Sequence, residues 1–199
     1  NCSISDGVNE AAAGMTVTIL NVNEAPVFTS YTPGAQAQIS AEENTTSLTT
    51  IAASDEDGDT LSFSISGSDA SAFTISDAGT LSLSNSLDFE NPSDTNTDNI
   101  YDFSVTVSDS ALSASVNFSL SIQNTNDNAP VISDLALNTD VSNGQTSVTS
   151  VTVTDADNDT PTLSLTGDDA AALNITSVGV ISFNTNPDYT SPIDIDGDN

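Results

Sequence analysis

The 199-residue sequence contains no lysine, no arginine and no histidine. A chain of this length and average composition carries roughly 25 basic residues. Their absence excludes whole classes of function. Phosphate neutralisation takes Lys or Arg, so nucleic acid is excluded as a partner. An anionic membrane surface repels a chain whose 29 acidic residues give it a formal charge of −29. There is no histidine to serve as base or metal ligand, and no lysine for a Schiff base or phosphate clamp. The one cysteine, Cys2, cannot make an intrachain disulfide. Tryptophan is absent, so the aromatic platforms usual in sugar-cleaving clefts are missing. No base exists to activate the many Ser and Thr hydroxyls, and the chain is expected not to be an enzyme. No run approaches the ~18–20 apolar residues of a membrane helix, and no signal-peptide pattern opens the sequence. Carboxylates, hydroxyls and hard cations are what remain.

Val, Ile, Leu and Phe make up about 24% of the residues, just above the ~20% level that accompanies disorder. Their arrangement decides the matter, because they alternate with polar residues in short runs, as in half-buried strands. Residues 46–54, 60–66, 73–76 and 80–83 read as strands bounded by Asp, Gly and Asn turns. Tyr101, Phe103, Val105 and Val107 alternate in one further run, and Val116, Phe118, Leu120 and Ile122 in another. A short strand near Ile39 brings the total to seven. No run has a convincing 3.6-residue period. The expected fold is all-β, a Greek-key sandwich.

Residues 43–92 align without a gap on residues 143–192. Asp55-Glu56-Asp57-Gly58-Asp59-Thr60 meets Asp155-Ala156-Asp157-Asn158-Asp159-Thr160, and Asp88-Phe89 meets Asp188-Tyr189. Ala25-Pro26 recurs as Ala129-Pro130, and Ser5-Asp6 as Ser108-Asp109. The period of about 100 residues is the size of one β-sandwich domain. The phase predicts tandem seven-stranded sandwiches, one complete and two partial. Residues 1–20 correspond to the last two strands of one repeat. Residues 21–26 form a linker, 27–123 a complete repeat and 124–130 a second linker. Residues 131–199 correspond to a repeat lacking its last two strands. Such a C-terminal part leaves a core groove open, and the N-terminal hairpin has nothing to pack on.

Asn124-Thr125-Asn126-Asp127-Asn128-Ala129-Pro130 resembles the linker between cadherin repeats. Leu87-Asp88-Phe89-Glu90 is similar to the Leu-Asp-Arg-Glu motif of that family, and Asp55-Glu56-Asp57 to its Asp-x-Asp motif. Asp109 matches its single Asp near the end of the sixth strand, and Glu43-Asn44 its acidic motif after the first strand. Five motifs in order, at one domain's spacing, resemble a cadherin repeat, and the lack of cysteine pairs and basic residues, with Asn23-Glu24-Ala25-Pro26 in the first linker, is similar to tandem cadherin-like repeats of bacterial surface proteins. The resemblance implies an Ig-like sandwich and Ca²⁺ bound between successive repeats. Ca²⁺ takes six to eight oxygen ligands. At the second linker the implied donors are Glu43, Asp88 and Glu90 upstream, then Asn124, Asn126, Asp127 and Asn128, then Asp155 and Asp157 downstream. At the first they are Asn21, Asn23 and Glu24 with Asp55, Asp57 and Asp109. Asn124 stands where the family prefers Asp, which weakens one ligand of the second linker, and the first linker is one residue shorter, so fewer or weaker ions are expected at that first linker.

Three functional readings follow. The first is an extracellular stalk or spacer of an adhesin, stiffened by calcium. The second is a filament in which the N-terminal hairpin of one chain completes the C-terminal domain of an identical chain. Asp6, the counterpart of Asp109, then joins the second linker's ligands. The third is a calcium-dependent module for a surface glycan or another adhesion protein. Cys2 aligns with Val105 and is expected to face inward as a buried thiol. Asp94, Asp98, Asp134, Asp140, Asp168 and Asp169 read as surface charge. So do Asp194, Asp196 and Asp198, although that last run also offers a lone ion site.

Overall fold

The computed structural model describes residues 2–32, 34–136 and 138–192. Alternation in the sequence becomes a two-sheet sandwich over residues 27–123. One sheet holds β4 (Gln36–Glu42), β7 (Ser62–Ser66), β10 (Ile100–Ser108) and β11 (Ser113–Gln123), in the order β4-β11-β10-β7. The facing sheet holds β5 (Ser47–Thr50), β8 (Phe73–Ile75) and β9 (Thr80–Leu83) in the order β5-β9-β8, beside the short pair β3 (Val27–Phe28) and β6 (Ala53–Ser54). β10 and β11 point Tyr101, Phe103, Val105, Val107, Val116, Phe118, Leu120 and Ile122 inward, all at most 3% exposed. The Phe103 ring stacks on Phe73 at 3.9 Å between centroids, and on Phe118 at 5.2 Å. Fully burying each such side chain is worth about 1.5–3 kcal/mol, and this core carries the domain.

Two pairings set up the ends of the sandwich. β4 runs parallel to β11, with Glu42 opposite Gln123, so Glu43 arrives where the second linker begins. β3 pairs with β6, Val27 opposite Ser54, which sets the Asp55 turn beside the first linker. At that same end β10 reaches Ser108 opposite Ser62, and the Asp109 turn follows. After the second linker, β12 (Val131–Ser133) pairs with β14 (Thr152–Thr154), Val131 opposite Thr154. That pairing sets the Asp155 turn beside residues 124–130.

The all-β expectation holds, and the only helical elements among the described residues are two three-residue 3₁₀ turns, Ala70–Ala72 and Ala170–Ala172. None of the described helices is long and apolar enough to cross a membrane. Several local expectations need correction. The run 46–54 is broken at Ile51 and Ala52 into β5 and β6: the Ile51 N–H still bonds the Gly79 carbonyl beside β9, whereas the Ala52 carbonyl accepts the Thr29 N–H beside β3. β3 is a further strand, two residues long, too short to show alternation.

Residues 131–192 form one sheet layer. β13 (Ser147–Ser150), β16 (Val180–Phe183) and β15 (Leu173–Ile175) make a three-stranded sheet beside β12–β14. Residues 162–166, the counterpart of β7, form no strand despite the same alternation. β7 is hydrogen-bonded to β10 alone, and no counterpart of β10 follows among the described residues. Inward positions open accordingly: Phe28 is 4% exposed, its counterpart Ile132 56%. β1 (Cys2–Ser5) and β2 (Glu10–Ala13) form a separate hairpin whose residues are all exposed. Cys2 is therefore exposed, not buried. Its strand has the inward register, but among the described residues it pairs with β2 alone.

Candidate metal centres

The second linker collects carboxylates from three directions. Glu43 ends the β4 edge, Glu90 follows the loop after β9, Asp127 lies within the linker, and Asp157 comes from the turn after β14. One oxygen from each lies within 4.8 Å of all the others. Backbone and amide donors hold them there. Glu43 accepts the Phe89 N–H and the Thr125 N–H, both at 2.8 Å, and the Thr125 hydroxyl at 3.2 Å. Asp157 accepts the Asn128 N–H at 2.8 Å and the Asp127 N–H at 3.2 Å. The Asn128 amide donates to Asp127, Glu90 and Asp157 at 2.7, 3.2 and 3.3 Å. Asn124 donates to the Asp157 carbonyl at 3.2 Å, Asn126 to Asp159, and Asn44 to Asp127.

Asp88 and Asp155, also expected in this group, each use Oδ1 to accept backbone N–H groups of their own turns. Asp88 accepts the N–H groups of Glu90 and Asn91 at 3.0 and 3.2 Å. Asp155 accepts those of Asp157 and Asp159 at 3.0 and 3.4 Å. Both shape the turns that aim the gathered carboxylates.

The first linker gathers Asp55, Asp57 and Asp59, one oxygen of each within 4.8 Å of the others. Asp57 accepts the Glu24 N–H at 2.9 Å and the Asn21 amide. Asn23 donates to Asp109 at 2.9 Å. Asp59 was not among the expected ligands. The triple Asp-x-Asp-x-Asp alternation at 55–59 was the available signal, and the Asp55 carboxylate folds the third acid inward by accepting the Asp57 and Asp59 N–H groups. Asp6, in the separate hairpin, accepts the Val8 and Asn9 N–H groups and touches neither linker's donors among the contacts described.

Electrostatics divides these acids into two kinds. Burial, and then the charges of Glu43 and Asp157, push Glu90 above the ordinary glutamate value. Partial desolvation and then Asp57 do the same to Glu24. Burial opposes ionisation of Asp157, but hydrogen bonds from Asn128 outweigh it and hold Asp157 below the ordinary value. The Glu24 N–H and the Asn21 amide lower Asp57, and the Leu112 N–H and Asn23 lower Asp109. Asp94, expected at the surface, is 4% exposed, because it closes the loop before β10 by accepting the Asp98 and Asn99 N–H groups at 2.9 and 3.2 Å. The run containing Asp194, Asp196 and Asp198 lies outside the described residues.

The donor set fits Ca²⁺. Four carboxylates and adjoining Asn side chains supply the hard oxygens that the ion takes in a flexible six- to eight-fold shell. Glu90 Oε1 at the second linker and Asp55 Oδ2 at the first are buried and accept no hydrogen bond. A buried anionic oxygen needs a partner, and a chain without Lys, Arg or His has no side-chain cation to offer one. Glu43, Glu90, Asp127 and Asp157 would hold the ion at the second linker. Asp55, Asp57 and Asp59 would hold it at the first.

No protein-family model and no curated protein matches the chain. Solved structures do. Human Protocadherin-24 EC1-2 superposes with a TM-score of 0.65 at 23% identity, over 82% of this chain and 81% of that one. The fold is cadherin-like. Human CDH23 EC21-23 gives a TM-score of 0.66 at 24% identity, over 85% of this chain and 57% of that one. Drosophila N-cadherin EC1-4 gives 0.65 at 24% identity, over 82% and 41%. Identities this low establish a shared β-sandwich architecture.

Proposed function

We propose that this chain is a section of an extracellular rod of cadherin-like repeats, stiffened by calcium, that serves as the stalk or spacer of an adhesin. In this reading residues 27–123 are one repeat, flanked by parts of two others, and residues 21–26 and 124–130 are calcium joints. The observation that carries it is the convergence of Glu43, Glu90, Asp127 and Asp157 from one domain, its linker and the next domain. Four like charges this close repel one another, so the metal-free joint swings. An ion shared among them locks domain to linker to domain. Calcium does mechanical work here, and the carboxylates serve as ligands, not as acid and base. The absence of basic residues fits an environment where salt screens self-repulsion and divalent cations are abundant.

The test is small-angle scattering and thermal melting in millimolar calcium and in chelator. Calcium at ten times its Kd adds about 1.4 kcal/mol of stability per site, and the particle should lengthen and lose its spread of sizes. Equal melting temperatures and equal scattering in both buffers would refute the proposal.

A further inference from the structure

We infer that Ser119 and Gln36 join in a covalent ester, formed by the chain on itself, that ties β4 to β11, the first and last strands of the four-stranded sheet. The mechanical purpose of this tie rests on the stalk reading above, and its chemistry does not.

Ser119 lies between Phe118 and Leu120, which face the core, so its own side chain stands on the outer face of the sheet. It is nevertheless only 5% exposed. Two neighbours cover it. Asp102 lies directly opposite on β10, and the Ser119 hydroxyl donates to its Oδ1. On the other side β4 runs past, and the Gln36 carboxamide reaches diagonally from beside Asn117 to contact Ser119 Oγ. Other hydroxyls bond a carboxylate, among them Thr95 on Asp69 and Thr125 on Glu43. Among the described hydrogen bonds, only Ser119 has a carboxylate on one side and a carboxamide on the other.

These are a nucleophile, a base and an electrophile in contact. A hydroxyl that donates to a carboxylate is set to lose its proton there, and Cδ of Gln36 lies one bond behind the atom that touches Oγ. Oγ bonds to Cδ while its proton passes to Asp102. The Cδ–Nε2 bond then breaks, the nitrogen takes that proton from Asp102, and ammonia leaves. An alcohol and an amide become an ester and ammonia, with no oxidant, metal or water consumed. The absence of His and Lys does not leave this hydroxyl without a base. A carboxylate is a slow base, but each chain needs the reaction once, and a held contact acts as a very high reagent concentration. Ammonia is protonated and diluted at neutral pH, which draws the exchange forward, and the shielding of Ser119 keeps water from the ester oxygen. β4 and β11 are parallel, so tension that enters the domain at β4 and leaves it at β11 shears one strand past the other. The tie takes the 83 residues of separation between Gln36 and Ser119 out of the loaded path, about 280 Å of chain at ~3.3–3.6 Å per residue.

The experiment is intact mass spectrometry of the folded 199-residue chain, held at neutral pH. The expected mass is lower than that of the sequence by one ammonia, about 17 Da. Peptic digestion should release a branched peptide that joins Gln36 to Ser119, and hydroxylamine, which opens esters and spares amides, should separate it. Ser119→Ala should keep the full mass, and Asp102→Asn should slow the loss of ammonia by roughly 100-fold or more. Both side chains lie on the outer face of the sheet, so circular dichroism should show an intact fold. In force spectroscopy the wild type should release about 280 Å less chain than Ser119→Ala. A wild-type chain that keeps the mass of its sequence would overturn the inference. So would hydrolysis of Gln36 to glutamate in place of the tie. A loss of ammonia that survives Ser119→Ala arises elsewhere and also overturns it. None of these masses depends on calcium, so a tied chain whose length and melting ignore calcium refutes the calcium reading alone.

Discussion

Glu43→Gln separates the structural work of this carboxylate from its work as a ligand. Glu43 is 3% exposed and clamps two segments, the loop at Phe89 and the linker at Thr125. Glutamine keeps one acceptor oxygen and turns an amide toward the other N–H, donor against donor. One charged hydrogen bond is lost and one N–H is left without a partner, at a cost of about 2–3 kcal/mol in chelator. In calcium a second loss appears. Removing one of four converging carboxylates should weaken the ion at least tenfold, about 1.4 kcal/mol more at a fixed calcium level. Urea unfolding followed by tyrosine fluorescence reads this, because the chain has no tryptophan and Tyr101 is buried in the central core. The decisive quantity is the calcium-induced gain of the wild type minus that of the variant. Thr125→Ala is the control, since it removes a hydroxyl that bonds the same carboxylate but no charge, and its cost should be equal in both buffers. A Glu43→Gln difference within about 0.3 kcal/mol of zero, the range of simple additivity, would refute calcium binding at this carboxylate.

Glu90→Gln should change sign with the metal. Its folded value lies above the ordinary one, so its favourable contribution is present below pH 4.5 and lost as pH rises through the folded value. At pH 7 in chelator the variant should melt higher than wild type, and in calcium lower, by calorimetry. Asp69 has the opposite sign. Burial would raise it, but bonds from Thr95 and Asp102 outweigh this and hold it below 3.8. Its stabilisation is present above that value and lost as pH falls through the folded one. Asp69→Asn should cost about 2–3 kcal/mol at pH 7 and flatten the acid limb of a pH–stability curve. Phe118→Ala should cost about 3–5 kcal/mol in urea unfolding, since its ring packs on Phe103 and Tyr31.

Much of the fold was legible because the alternation is strict where it is longest. Tyr101 to Val107 and Val116 to Ile122 mark the two central strands, and the structure buries each of those residues. The equivalence of residues 62–66 and 162–166 was legible too, yet one forms a strand and the other does not. A strand exists only with a hydrogen-bonded neighbour, and sequence alternation states the capacity without the partner. Cys2 failed for the same reason. The inward register of its strand was read correctly from Val105, but burial belongs to the sheet across the gap, not to the residue. Short elements were invisible on different grounds, since Val27–Phe28 has too few residues to display any period.

The acidic residues were harder to sort, because the same carboxylate chemistry serves two ends. Asp6, Asp55, Asp88, Asp94, Asp109, Asp155 and Asp188 each accept backbone N–H groups two to five residues ahead. Such turns need no metal, and by sequence they look like ligands. Glu43, Glu90, Asp127 and Asp157 are different because four separate segments bring them together. The sequence joins Glu43 to Asp127 only through the resemblance of their motifs, not through any periodicity. That meeting follows from the parallel pairing of β4 with β11, which delivers the end of one strand to the start of the linker. A turn-capping carboxylate is satisfied by its own backbone unless, as in Asp55, its second oxygen is buried and accepts nothing. A carboxylate such as Glu90, with one buried oxygen that accepts nothing and with charged neighbours on both sides, is not. In a chain with no positive side chain, that unsatisfied remainder is what separates a candidate ion site from an acidic turn.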